Sequence, residues 1–99
     1  MAIPDNKVLG AMQQLLSVVA DFTRLKILCS IAREEKCVSE ICADVGASQS
    51  LVSHQIRVMK SANILSSRKE GTRVFYALAD DHVLALLDVV ASHVQEKRH

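Results

Sequence analysis

Apolar positions recur at helical spacing through the first third of the chain. Val8, Leu9, Met12, Leu15, Leu16 and Val19 form one stripe, which predicts an amphipathic helix over 7–19. Asp21 is placed to cap a second helix, with Phe22, Leu25, Leu28 and Ile31 inward and Arg24, Lys26 and Arg33 outward. The charged run REEK, 33–36, breaks that pattern. A short third helix carries Val38, Ile41, Cys42 and Val45, and Gly46 suits the left-handed residue that ends it. Ser48 suits the N-cap of a fourth helix, in which Leu51, Val52, Ile56 and Met59 pack inward. After Asn63 the period changes to two. Val74, Tyr76 and Leu78 alternate with Arg73, Phe75 and Ala77, and Glu70-Gly71 separates two strand-like runs as in a tight hairpin. Asp80 or Asp81 then caps a last helix that reaches about Lys97.

The predicted order is α-α-α-α-β-β-α: mainly α with a small β-hairpin. A short helix, a glycine turn, a longer helix and then a hairpin outline a winged helix-turn-helix. Residues 1–99 suffice for a single domain. With 49% hydrophobic residues, three glycines and one proline, the chain reads as compact and helical rather than disordered. A chain this short buries only part of the surface its unfolded form exposes, so a second subunit is expected to help. MAIPDNKVLG lacks a signal-peptide pattern, and no apolar run approaches the roughly 18 residues of a membrane span. Three cysteines, Cys29, Cys37 and Cys42, match no disulfide framework. A cytoplasmic protein with reduced thiols and no membrane partner is expected. Cys29 and Cys42 lie on apolar stripes and read as core residues.

Formal net charge is only +1, but its distribution is uneven. Between Val45 and Ala79, Arg57, Lys60, Arg68, Lys69 and Arg73 face a single acid, Glu70, which gives that third +4 and leaves −3 elsewhere. Such a segment can form a phosphate-binding face. At the start of the fourth helix, Ser48, Gln49, Ser50, Ser53, His54 and Arg57 are short or hydrogen-bonding residues. Those are the types a recognition helix needs to enter a major groove and read base edges. Arg57 and Lys60, with Arg68, Lys69 and Arg73 from the hairpin, would meet backbone phosphates of double-stranded operator DNA. The plainer alternative is a solvated polar face; the turn before the helix and the basic hairpin after it favour DNA.

The last helix poses a separate question. Asp80, Asp81 and His82 crowd its start, and His93 and Glu96 sit near its end. At about 100° per residue, His82 and His93 share a face but stand about 16.5 Å apart along the axis. Metal–ligand bonds are about 2 Å, so one ion cannot touch both. Positions 82, 86, 89, 93 and 96 make a heptad seam centred on Leu86 and Val89. Packed antiparallel on a second copy, Asp80 and His82 of one subunit would meet His93 and Glu96 of the other, twice over. Two nitrogens and two carboxylates suit Zn(II) or Co(II), with Cd(II) or Ni(II) as further candidates. They leave no open position for hydrolytic chemistry. The competing reading has the acids only capping the helix and His93 and Glu96 merely solvated. No convincing nucleophile stands in the sequence, so no enzyme and no small-molecule substrate is expected.

Residues 36–78, KCVSEICADVGASQSLVSHQIRVMKSANILSSRKEGTRVFYAL, resemble the winged-helix core of the ArsR/SmtB metal-sensing repressors. The SQSLVSHQ segment, the KEGTRVFY hairpin and the Asp80-x-His82, His93-x2-Glu96 spacing carry the resemblance, which spans roughly 8–97. It implies a homodimer, paired through the N- and C-terminal helices, that binds a palindromic operator when metal-free. Zinc at the paired C-terminal helices would weaken DNA binding and turn on export or sequestration genes. His93 is then a candidate transmitter, through its second ring nitrogen. Thiol-sensing members carry Cys-Val-Cys where this chain has Cys37-Val38-Ser39, so sensing through Cys37 remains an alternative, as does a DNA-binding dimer indifferent to metal. His99 is a further possible ligand.

Overall fold

The structure, a computed structural model, describes residues 1–97. Five helices and one hairpin follow the expected order: α1 Asn6–Val19, α2 Phe22–Ser30, α3 Val38–Val45, α4 Gln49–Ser61, β1 Leu65–Glu70, β2 Arg73–Leu78 and α5 Asp81–Lys97. His99 lies outside the described residues.

Most helix ends are fixed by the capping chemistry the sequence offers. The carboxylates of Asp5 and Asp21 accept from the amides of Val8 (2.9 Å) and Arg24 (3.0 Å). Ser48 Oγ accepts from the Leu51 amide at 3.2 Å. At α3, Glu40 reaches back to the amide of Cys37 at 3.0 Å, half of a capping box. Gly46, with φ +73°, ends α3 in the left-handed conformation and lets the chain turn into α4. Asn63, also at positive φ, closes α4 before β1 begins.

The hairpin is antiparallel, and Glu70 pairs with Arg73 across a two-residue turn in which Gly71 has φ +63°. Lys36, within the charged run that interrupts the helical pattern, exchanges two backbone hydrogen bonds with Tyr76 and so forms an isolated bridge on the free edge of β2.

Ile27, Leu28, Ile31, Ile41, Val52 and Met59 form the centre of the core, extended by Val83 and Leu87 from α5. Burying each such side chain contributes about 1.5–3 kcal/mol. On α2 and α4, three expected core positions are exposed. Phe22 is 77% exposed, beside Lys26, whose ammonium lies 5.6 Å from its ring. Leu51 is 41% exposed because it sits about 100° around α4 from Val52, at the margin of the buried stripe. Cys29 is exposed on α2, while Cys42 packs against the core's edge. α1 has no buried residue, although it is 14 residues long. Among the described residues, no helix is long and apolar enough to cross a membrane.

Candidate functional site

On α4 the buried residues Val52, Ile56 and Met59 define the inner face. At about 100° per residue, Ser50, Ser53, His54 and Arg57 cluster on the opposite face. Ser48, Gln49, Ser50, His54 and Arg57 are exposed and Ser53 is partly so. The N-terminus of α4 therefore presents small hydrogen-bonding side chains outward while its hydrophobic side is held by α2, α3 and β1.

The cations around this face differ in their partners. Among the described residues, Arg57 and Lys69 have no acidic partner. Lys60 donates to Ser67 Oγ at 2.7 Å, which ties the end of α4 to β1. Arg68 is gripped by both carboxylate oxygens of Glu35 and by Glu70 at 2.7 Å, with its guanidinium over the Phe75 ring at 4.7 Å. Hydrogen bonding to Arg68 holds the Glu35 carboxyl below its ordinary range. Arg73 lies over the other approach to Phe75 (5.0 Å) and donates to the Cys37 thiol at 3.2 Å. That thiol is buried, and hydrogen bonds from Ser39, the α3 backbone and Arg73 draw its pKa down. Glu35, invisible as a functional residue in the periodic pattern, thus joins Lys36 and Cys37 in fixing the hairpin to the α2–α3 connection.

At α5, Asp80 stands just ahead of the helix and its Oδ1 accepts from the amides of His82 (2.9 Å) and Val83 (3.2 Å). The same oxygen lies 3.6 Å from His82 Nδ1, and the His82 side chain is 98% exposed. A capping carboxylate and an imidazole are therefore brought together, with the second carboxylate oxygen outside the cap. His93 and Glu96 are exposed one turn apart near the other end. Among the described residues of one chain, no three His, Cys, Asp or Glu side chains gather closely enough to hold a metal. The donor types fit a zinc-like ion, but each end supplies only two, so a complete set needs a second chain. Between the two ends Val89 is 67% exposed, and Val90 and Val94, turned further round the helix, are also uncovered. Beside them runs an apolar groove of about 490 Å³ between α1, α2 and α5, lined by Leu16, Leu25, Cys29, Val90 and Val94 among others.

Comparison with known proteins agrees with this architecture. A family model described as bacterial regulatory protein, arsR family, matches residues 21–67. The chain is 41% identical over 85 residues to a transcriptional repressor SmtB homolog of Synechocystis, covering 86% of this chain and 64% of that protein. It is 33% identical over 84 residues to a cadmium resistance transcriptional regulatory protein CadC homolog of Staphylococcus aureus, covering 84% and 69%. The chain thus spans somewhat under two thirds of the first relative's length. A homodimeric winged helix-turn-helix DNA-binding domain from Mycobacterium bovis, a possible ArsR-family regulator, superposes with a TM-score of 0.86 at 27% identity, over 98% of this chain and 93% of that one. These relatives are regulators of transcription, not enzymes. The chain is a winged helix-turn-helix protein and belongs to the arsR family of bacterial regulatory proteins.

Proposed function

We propose that the chain is a homodimeric, metal-responsive transcriptional repressor acting in the cytoplasm. The observation that carries this reading is the exposed stripe of α5, with Asp80 beside His82 at one end, exposed His93 and Glu96 at the other, and uncovered Val89 between them. An antiparallel second copy would cover Val89 and bring Asp80 and His82 of one subunit to His93 and Glu96 of the other. The Synechocystis relative is a repressor and the Staphylococcus relative belongs to cadmium resistance, which supports a metal as the signal. The homodimeric state of the M. bovis domain supports the pairing.

The DNA-facing residues are Ser48, Gln49, Ser50, Ser53, His54 and Arg57 on α4. Lys60, Lys69, Arg73 and, with its charge already paired to Glu35 and Glu70, Arg68 flank them. The small side chains read base edges and the cations contact phosphates on either side. Two α4 helices of a symmetric dimer would meet successive major grooves of a palindrome. Asp80, His82, His93 and Glu96 would hold Zn(II) or Co(II), whose charge the two carboxylates would balance and which would link the paired α5 helices. The residues of this chain then set the response. Asp80 holds the start of α5, His82 and His93 hold the imidazoles on one face, and Glu96 balances charge. With one nitrogen on a metal, His93 would have its other N–H free to donate to a neighbouring acceptor and so would be the residue that transmits the metal's presence to the rest of the dimer.

Calorimetric zinc titration tests the reading. One ion per subunit is expected, with the site lost in Asp80→Ala and in Glu96→Ala. Operator affinity should fall roughly five- to 150-fold on saturation, the usual range of allosteric coupling. A parent that binds DNA equally with and without zinc would leave a plain DNA-binding dimer.

A further inference from the structure

The side chain of Arg24 joins three helices. Its own amide is capped by Asp21 at 3.0 Å, which fixes its root at the start of α2. Its Nε donates to the carbonyl of Val18 at 2.6 Å, and its Nη1 donates to Gln55 Oε1 at 3.0 Å. Val18 lies in the last turn of α1, where carbonyls have no later helical amide to satisfy them. A guanidinium only donates, so Gln55 must turn its carbonyl oxygen towards Arg24. The end of α1 and the flank of α4 are thereby held by one rigid, half-buried fork.

The position of Gln55 gives this bond its leverage. It lies about 60° around α4 from Val52, beside the buried stripe and away from Ser50, Ser53, His54 and Arg57. A side-chain tip at a helix radius of roughly 5–6 Å sweeps about 1 Å for each 10° of roll about the helix axis. An N–H···O bond tolerates only about 2.7–3.2 Å, so the bond to Arg24 limits that roll. The same roll would carry the outward residues off the hydrogen-bonding edges of the bases.

We infer that Arg24 and Gln55 are a positioning pair that sets the roll of α4 against α1 and so governs sequence discrimination without touching DNA. The inference rests on α4 being the DNA-reading helix. It also makes α1, whose Val8, Met12 and Leu16 are uncovered, a lever on that helix.

The parent protein is first used to enrich a duplex from a random-sequence pool; the probes are that duplex and a scrambled one of equal length. Arg24→Lys keeps the charge and loses the fork, and Gln55→Met keeps the length and loses the acceptor. Each is expected to weaken binding to the enriched duplex about 5- to 30-fold. Affinity for the scrambled duplex and the salt dependence should not move. The double variant should bind no worse than the weaker single one, since both break the same bond. Additive losses, or no loss in Arg24→Lys, would overturn the pair. So would a uniform loss on both probes with the log–log salt slope reduced by about 0.9, which would make Arg24 a phosphate contact. If Arg24→Lys is unfolded at the assay temperature, re-selection with Gln55→Met decides. Preference relaxed across the site supports positioning, and a change at one base pair means direct contact. A parent that enriches no duplex defeats the DNA reading itself, and the pair then positions nothing.

Discussion

Arg68 and Lys69 are neighbours on β1 and both cationic, yet their surroundings separate them. Arg68 is held by Glu35 and Glu70 and stacked on Phe75, whereas Lys69 is exposed and, among the described residues, has no acidic partner. A cation already paired with two carboxylates releases little by meeting a phosphate. Lys69→Ala should therefore reduce the log–log salt slope of DNA binding by about 0.9, one phosphate contact's worth. Arg68→Ala should change the slope less and instead loosen the hairpin, read as faster amide exchange in β1 and β2. Equal slopes for the two variants would show that Arg68 abandons Glu35 on the DNA. The charge imbalance of this segment was legible from the sequence, because counting cations needs no coordinates. The difference between these two was not, because Glu35 is 33 residues from Arg68 and sits in a run that looked only like a helix breaker.

At the scale of elements, capping was readable because it is local. Asp21, Ser48 and Asp80 lie within three residues of the amides they satisfy, so spacing alone identifies them. Which edge of an apolar stripe is buried was less readable. Phe22, Leu51 and Cys29 lie on apolar stripes, but burial depends on where the neighbouring helix sits, and that is a long-range fact. Asp80 combines a local and a long-range role, and two substitutions separate them. Asn caps about as well as Asp, while Ala forfeits roughly 0.5–2 kcal/mol. In a domain of about 100 residues 1 kcal/mol moves the melting temperature by about 4–8 °C. Asp80→Asn should thus melt like the parent without metal, and Asp80→Ala several degrees lower. Both should lose most of the stabilisation that zinc gives the parent. An Asn variant still stabilised like the parent would leave Asp80 a cap and nothing more.

For the whole molecule, α1 is the anomaly: 14 residues with an apolar stripe, no residue fully buried, and only Leu15, Val18 and Val19 packed partly against the core. Helices of that length are marginal in water unless their apolar face is covered. Contiguous uncovered apolar surface on a soluble chain marks an interface. Val8, Met12 and Leu16 on α1 and Val89, Val90 and Val94 on α5 are exposed together in one chain, and Leu16 and Val90 line the same groove. Covering that groove with a second copy would also complete the metal ligands, so assembly and metal binding should fail together. Leu16→Glu tests this away from every proposed ligand. Leu16 is 51% exposed, so the single chain should remain helical by circular dichroism. In sedimentation it should run as a monomer where the parent runs as a dimer. At zinc 100-fold above the parent's Kd, mass action stabilises the parent by about 2.7 kcal/mol. The monomer, with two ligands at each end of α5, should gain almost none of it. A monomeric variant that still took one zinc per chain at the parent's affinity would mean that the ligands converge within one subunit, and the shared sites would have to be abandoned. A variant that stayed dimeric would move the interface off this groove and leave the valines of α5 to be explained by another partner.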